Sequence, residues 1–165
     1  MAQYSQIQSE YIKTNRIQLM TQTTDVLYKK IIEVRWADCD ANRHMRHTAY
    51  SDMCAHTRIS FLQNIGMDDA WFKESNLSPV MFKEQTEYFS EMLMGEEVTI
   101  TIELGEPTGS EKSVCWVNNL YKKDGTLAAK HQVIVGWMNL AERRIVTLPL
   151  LATDKYLKNL FAEPA

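Results

Sequence analysis

The sequence is sparing with cysteine. Three occur in 165 residues, at Cys39, Cys54 and Cys115, and no two form a C-x-x-C pair. An odd, scattered set excludes a disulfide framework and a cysteine-rich zinc site, and suits reduced thiols. No apolar run approaches the roughly 20 residues of a membrane span. The opening segment, MAQYSQIQSEYIKTNRIQ, lacks the apolar core of a secretory signal, so a cytoplasmic location is expected. Excess positive charge is missing too. The formal net charge is -3, which leaves no electrostatic footprint for nucleic acid. No G-x-S-x-G occurs and no serine sits at a strand-to-helix elbow, which removes the serine-hydrolase reading. Neither an internal repeat nor a low-complexity linker divides the chain.

What is present suits one domain. The composition is 45% apolar and 24% charged, ordinary for a globular chain of this length. Residues 1–24 read as a polar extension and residues 25–165 as a single domain. YKKIIEVRW places Ile32, Val34 and Trp36 on one face of a strand. The period then changes. Tyr50, Met53, Cys54, Thr57, Phe61 and Ile65 form a helical stripe, with Ala55, Ile59 and Leu62 beside it. The arc is wide, so the helix is expected to be embedded. Thr48 is the expected N-cap and Gly66 the expected stop. DDAWFKES suggests a short second helix or a turn. The strands that follow are PVMFKEQTEYF, which alternates imperfectly, EEVTITIEL, which alternates strictly, KSVCWVNNLY and KHQVIVGWMNL. Asp124-Gly125 marks a hairpin turn between the last two. LPLLATDKYLKNLF reads as a short C-terminal helix. The class is α+β, an antiparallel sheet curled around one long helix.

The chemistry gathers in RWADCDANRHMRHTAY, Arg35 to Tyr50. Asp38, Asp40, His44 and His47 are acceptable metal ligands, but their spacing matches no zinc signature, and no metal is expected. Asp40 lies just before a helix start, where open N–H groups and the dipole favour an anion. A turn or cap role is the plain alternative for it. Asp38 is expected to brace the loop through backbone N–H groups. Arg58 is expected to pair with an acidic neighbour, and Glu84 and Glu87 to be solvated strand charges.

From about Tyr28 to Leu140 the chain resembles the hotdog-fold acyl-CoA thioesterases of the 4-hydroxybenzoyl-CoA thioesterase type. The residues that carry this are the stretch above, the arginine of AHTRISFL, and GEEVTI opening a strand. The resemblance implies a homodimer or homotetramer with sites between subunits and an acyl-CoA substrate. It implies no cofactor beyond the CoA of the substrate. It makes Asp40 the catalytic carboxylate and the backbone N–H of His47 the oxyanion donor. His44, Thr48 and Tyr50 follow as substrate-binding residues. Arg43 departs from the pattern, because relatives usually have Gly there. His56 stands where a different branch carries its catalytic Glu, which favours the branch with its acid in the loop.

Two other readings compete. An enoyl-CoA hydratase or dehydratase on the same fold uses a similar Asp and His, but DANRH is one residue short of its D-x-N-x-x-H. A non-catalytic acyl-CoA binding module would keep the pocket without a base, and Asp40 argues against it.

Overall fold

Strand alternation, one long helical stripe and tight turns set the order of elements. The computed structural model describes residues 26–147. The N-terminal extension and the expected C-terminal helix lie outside the described residues.

Strand β1 (Tyr28–Glu33) alternates half-buried and exposed residues. Val34 continues inward, but the expected strand does not reach Trp36. That residue opens a 3-10 turn, Trp36–Asp38, and is 81% exposed. The Asp38 carboxylate accepts from the Arg35 N–H at 3.0 Å and folds the chain back at this point.

Helix α1 (His47–Asn64) buries the whole expected stripe from Tyr50 to Phe61, and Ile65 just past its end. Two expectations need correction. Thr48 is not the N-cap: Arg46 occupies that position in extended backbone, without a side-chain cap. The Thr48 hydroxyl instead accepts from the Arg46 guanidinium. The second stripe is also incomplete, since Ile59 is 42% exposed. Among the described residues the sheet covers one side of α1 and nothing covers the Ile59 side. Gly66, at φ +87°, ends the helix in the left-handed region that glycine takes readily. Helix α2 (Asp69–Ser75) is capped by Asp68, whose carboxylate accepts from the Trp71 N–H at 2.9 Å.

The strands β2 (Leu77–Tyr88), β3 (Glu97–Leu104), β4 (Ser113–Lys122), β5 (Leu127–Asn139) and β6 (Arg144–Val146) join β1 in one antiparallel sheet. The order is β1-β3-β4-β5-β2. The short β6, which alternation did not reveal, pairs with the end of β5 beyond Gly136. The imperfect alternation of β2 is a register shift between Met81 and Lys83. A Cβ on Gly136 would lie 2.5 Å from the Phe82 ring, so only glycine fits there without displacing that ring. Gly125, at φ +86°, makes the expected hairpin turn.

The core holds two apolar clusters under α1. One gathers Tyr50, Met53, Cys54, Val98, Ile100 and Leu120. The other gathers Phe61, Leu62, Ile102, Trp116, Val133 and Trp137. Each large side chain removed from water contributes about 2 kcal/mol or more, so this packing fixes α1 on the sheet. It thereby fixes where the helix begins.

Candidate active site

The loop before α1 is held from both ends. Asp38 is 2% exposed. Its carboxylate also accepts from Arg35 Nε and Nη2, each at 2.8 Å. These hydrogen bonds hold the Asp38 carboxyl below the usual carboxylate range. Its expected bracing role is therefore met, with the bonds running back to Arg35. Its carbonyl accepts from the Arg46 N–H at 2.8 Å, and the Met45 N–H donates to Met92 O at 2.7 Å.

Asp40 sits at the tip of this loop. Its Oδ1 accepts from the Asn42 N–H at 2.8 Å, and its carbonyl from the Arg43 N–H at 3.0 Å. The turn role is real, and the second carboxylate oxygen stays without a hydrogen-bond partner among the described residues. Arg43 adopts φ +67°, the left-handed region that favours glycine. A glycine at this position would take that conformation without strain. His44 Nδ1 lies 3.3 Å from Met45 O and 3.9 Å from Asp40 Oδ1.

At the start of α1 the Arg46 N–H is taken by Asp38 O and the Ala49 N–H by Arg46 O. Among the described residues the N–H groups of His47 and Thr48 have no acceptor. Such open donors are a ready anion site. Asp40, His44, His47 and Tyr50 line one cavity of about 520 Å³. Thr48 is not part of its lining. Tyr50 is 4% exposed and meets the half-exposed Tyr88 edge-on, ring centroids 5.0 Å apart. Burial raises the Tyr50 hydroxyl above its ordinary value, so it stays protonated.

The far wall of the cavity, Tyr88 to Glu91, was not legible in the sequence as part of a site. Nothing in a strand end marks it; the β2–β5 pairing brings it there. Arg58 was expected to pair with an acidic residue. It is 5% exposed and donates from Nη1 to Asn118 Oδ1 at 2.9 Å. Glu84, expected to be a solvated charge, accepts from the Ser51 hydroxyl at 2.9 Å. His131 is fully buried, with Nδ1 2.8 Å from Thr86 Oγ1. Burial, and then the charge of Arg58, push His131 down to about 4. Burial likewise pushes the Cys54 thiol up to about 12, so it is no nucleophile. Among the described residues no three His, Cys, Asp or Glu side chains converge as a metal would need. Nor is any helix among them long and apolar enough to cross a membrane.

The family described as "Thioesterase-like superfamily" matches residues 34–159. The chain belongs to that superfamily. It is a thioester hydrolase by class, on a hotdog-type fold. Among solved structures, this thioesterase is similar to a hypothetical protein from Staphylococcus aureus in complex with CoA. The identity is 21%, the TM-score 0.75, and the likeness covers 88% of this chain and 90% of the other. It is similar to a DHNA-CoA thioesterase from the same organism at 15% identity and TM-score 0.70, over 79% and 88% of the two chains. It is also similar to a 1,4-dihydroxy-2-naphthoyl-CoA thioesterase from Synechocystis at 15% identity and TM-score 0.69, over 81% and 94%. At these identities the likeness is one of fold. Comparison with curated proteins gives no match.

Proposed function

We propose that this thioesterase hydrolyses an acyl-CoA to the free acid and CoA, with Asp40 as general base or nucleophile. The observation that carries the proposal is a juxtaposition. The Asp40 carboxylate and the open start of α1 at His47 border the same cavity. The free oxygen of Asp40 takes a proton from the attacking water, or attacks the thioester carbonyl itself. The oxyanion that forms meets the N–H groups of His47 and Thr48, and each such donor is worth about 3 kcal/mol in the transition state. The C–S bond then breaks and CoA leaves as the thiolate. On the base route the thiolate takes up the proton held by Asp40; on the nucleophilic route water then cleaves the acyl–Asp40 anhydride to the free acid and restores the carboxylate. His44 and Tyr50 contact the substrate from the cavity wall. Thr48 takes part through its backbone.

CoA as carrier is supported by the Staphylococcus aureus structure solved with CoA and by the names of the thioesterase relatives. The narrower kinship with the 4-hydroxybenzoyl-CoA thioesterase type belongs to the proposal, resting on the D-x-D that precedes the long helix. A cytoplasmic homodimer or homotetramer, with CoA across the subunit interface and no separate cofactor, completes it. A panel of acyl-CoAs read with a thiol reagent tests the reading. Thiol release is expected. Loss of enoyl absorbance without thiol would point to a hydratase, and binding with neither to a non-catalytic module.

A further inference from the structure

The cavity wall from Tyr88 to Glu91 has no part in the hydrolytic steps above, yet its place is fixed at both ends. The N–H groups of Phe89 and Ser90 both donate to Ala128 O, at 2.8 and 3.1 Å, which holds the wall to β5. Just past it, Met92 is fully buried and its carbonyl accepts from the Met45 N–H at 2.7 Å. Leu93 forms an antiparallel bridge with His44. The wall is thus tied to the loop that carries Asp40.

The lining combines aromatic rings with negative charge. Tyr50, Tyr88 and Phe89 all border the cavity. Tyr50 is nearly buried and meets Tyr88 at 88°, so the two rings form a corner. Tyr88 and Phe89 are 51% and 55% exposed, which leaves much of their ring surface open to an occupant. The carboxylates of the lining are Asp40 and Glu91, and its basic groups are the imidazoles of His44 and His47; no Lys or Arg borders it. Among the described residues the Glu91 carboxylate has no hydrogen-bond or ion-pair partner, whereas Glu96 and Glu97 pair with Lys122 and Lys123. After burial, the charges of Tyr88, Glu96 and Glu91 help to raise the Tyr50 hydroxyl, so Glu91 stands within electrostatic reach of the aromatic corner.

These features favour one class of occupant. Aromatic faces are negative and attract a cation, the more so once it is desolvated. An unpaired carboxylate beside them adds to that attraction, and an anionic end would be repelled by Asp40 and Glu91. A primary ammonium is strongly hydrated and brings N–H donors that ring faces satisfy poorly. A quaternary ammonium has no N–H, and its methyl groups pack on aromatic rings. The cavity of about 520 Å³ has room for such a group beside the thioester.

We propose that the acyl group of the substrate bears a quaternary ammonium, with Tyr88 and Phe89 against its methyl groups and Glu91 facing its charge. The inference rests on the acyl-CoA reading above and adds the class of acyl group.

The test titrates non-hydrolysable CoA thioethers of matched length into the full chain by calorimetry. They end in trimethylammonium, in its neutral isostere tert-butyl, in phenyl or in carboxylate. The trimethylammonium analogue is expected to bind about tenfold tighter than the tert-butyl one, with the carboxylate weakest. Glu91→Gln and Tyr88→Leu are each expected to narrow the preference to about threefold or less. Equal or tighter binding of the tert-butyl or phenyl analogue overturns the inference. So does absence of binding by all four, or an undiminished preference in both variants. Thiol release from the matching thioesters reads the hydrolase proposal separately. Release without preference for the cation sinks only the inference. Preference without release sinks only the hydrolase.

Discussion

Asp40 holds the loop before α1 and is the carboxylate of the proposed mechanism. Its Oδ1 holds the turn through Asn42, and the proposed mechanism uses its other oxygen. Asp40→Asn keeps an acceptor for the Asn42 N–H, so the fold is expected to survive with an unchanged thermal melt. Turnover is expected to fall about a hundredfold or more, as loss of a general base usually brings. Near wild-type thiol release would sink the assignment. The two histidines differ in a way that ranks them. His44 has its Nδ1 beside Met45 O, whereas the exposed His47 starts the helix at the cavity. His47→Ala is expected to lower kcat more than His44→Ala in steady-state kinetics. Equal or reversed effects would contradict that order.

At the scale of elements, the start of α1 is positioned by what packs around it. Asp38 accepts from Arg35 and offers its carbonyl to the Arg46 N–H, joining the end of β1 to the helix start. Glu84 ties Ser51, in the first turns of α1, to β2. Beside it, the imidazole of His131 is buried neutral between α1 and the sheet, and this has a consequence for acid stability. Its folded value of about 4 lies below the ordinary 6.5. Below 6.5 the unfolded chain binds this proton first, so stability present above that pH is lost as pH falls toward 4. The loss from this group approaches about 3 kcal/mol. Urea midpoints measured from pH 7 to pH 4 are expected to drop steeply in the wild type and less in His131→Gln. Parallel pH profiles for the two would remove His131 as the cause.

At the scale of the molecule, β2 pairs with β5 alone among the described residues, on one side only. Met81, Phe82, Tyr88 and Phe89 are exposed along it, and Leu93 and Met94 follow. An unpaired edge with this much apolar surface is a place where chains associate. The proposed oligomer predicts a light-scattering mass of two or four chains of 19.1 kDa. A single-chain mass at the concentrations used for assay would refute it.

Local physics made much of the fold legible. The helical period of Tyr50 to Phe61, the strict alternation of β3 and the Asp124-Gly125 turn each depend on neighbours along the chain. The loop with Asp40 was legible for the same reason, whereas local pattern set the helix cap at Thr48, two residues after the Arg46 that holds it. Trp36, Thr48 and Ile59 were misplaced because each position was decided elsewhere. The Asp38 carboxylate turned the chain at Trp36. Arg46 took the cap position and reached the Thr48 hydroxyl, and the sheet left the Ile59 side of α1 uncovered. The wall from Tyr88 to Glu91 and the polar layer of Arg58, Asn118 and His131 come from strands distant in sequence. By itself the sequence determined the long helix, the main strands, the family likeness and the loop that bears Asp40, since these rest on short-range pattern. Only the tertiary structure decided which side chains face the cavity and which donors are buried without partners, because strand pairing and burial are properties of the assembled sheet.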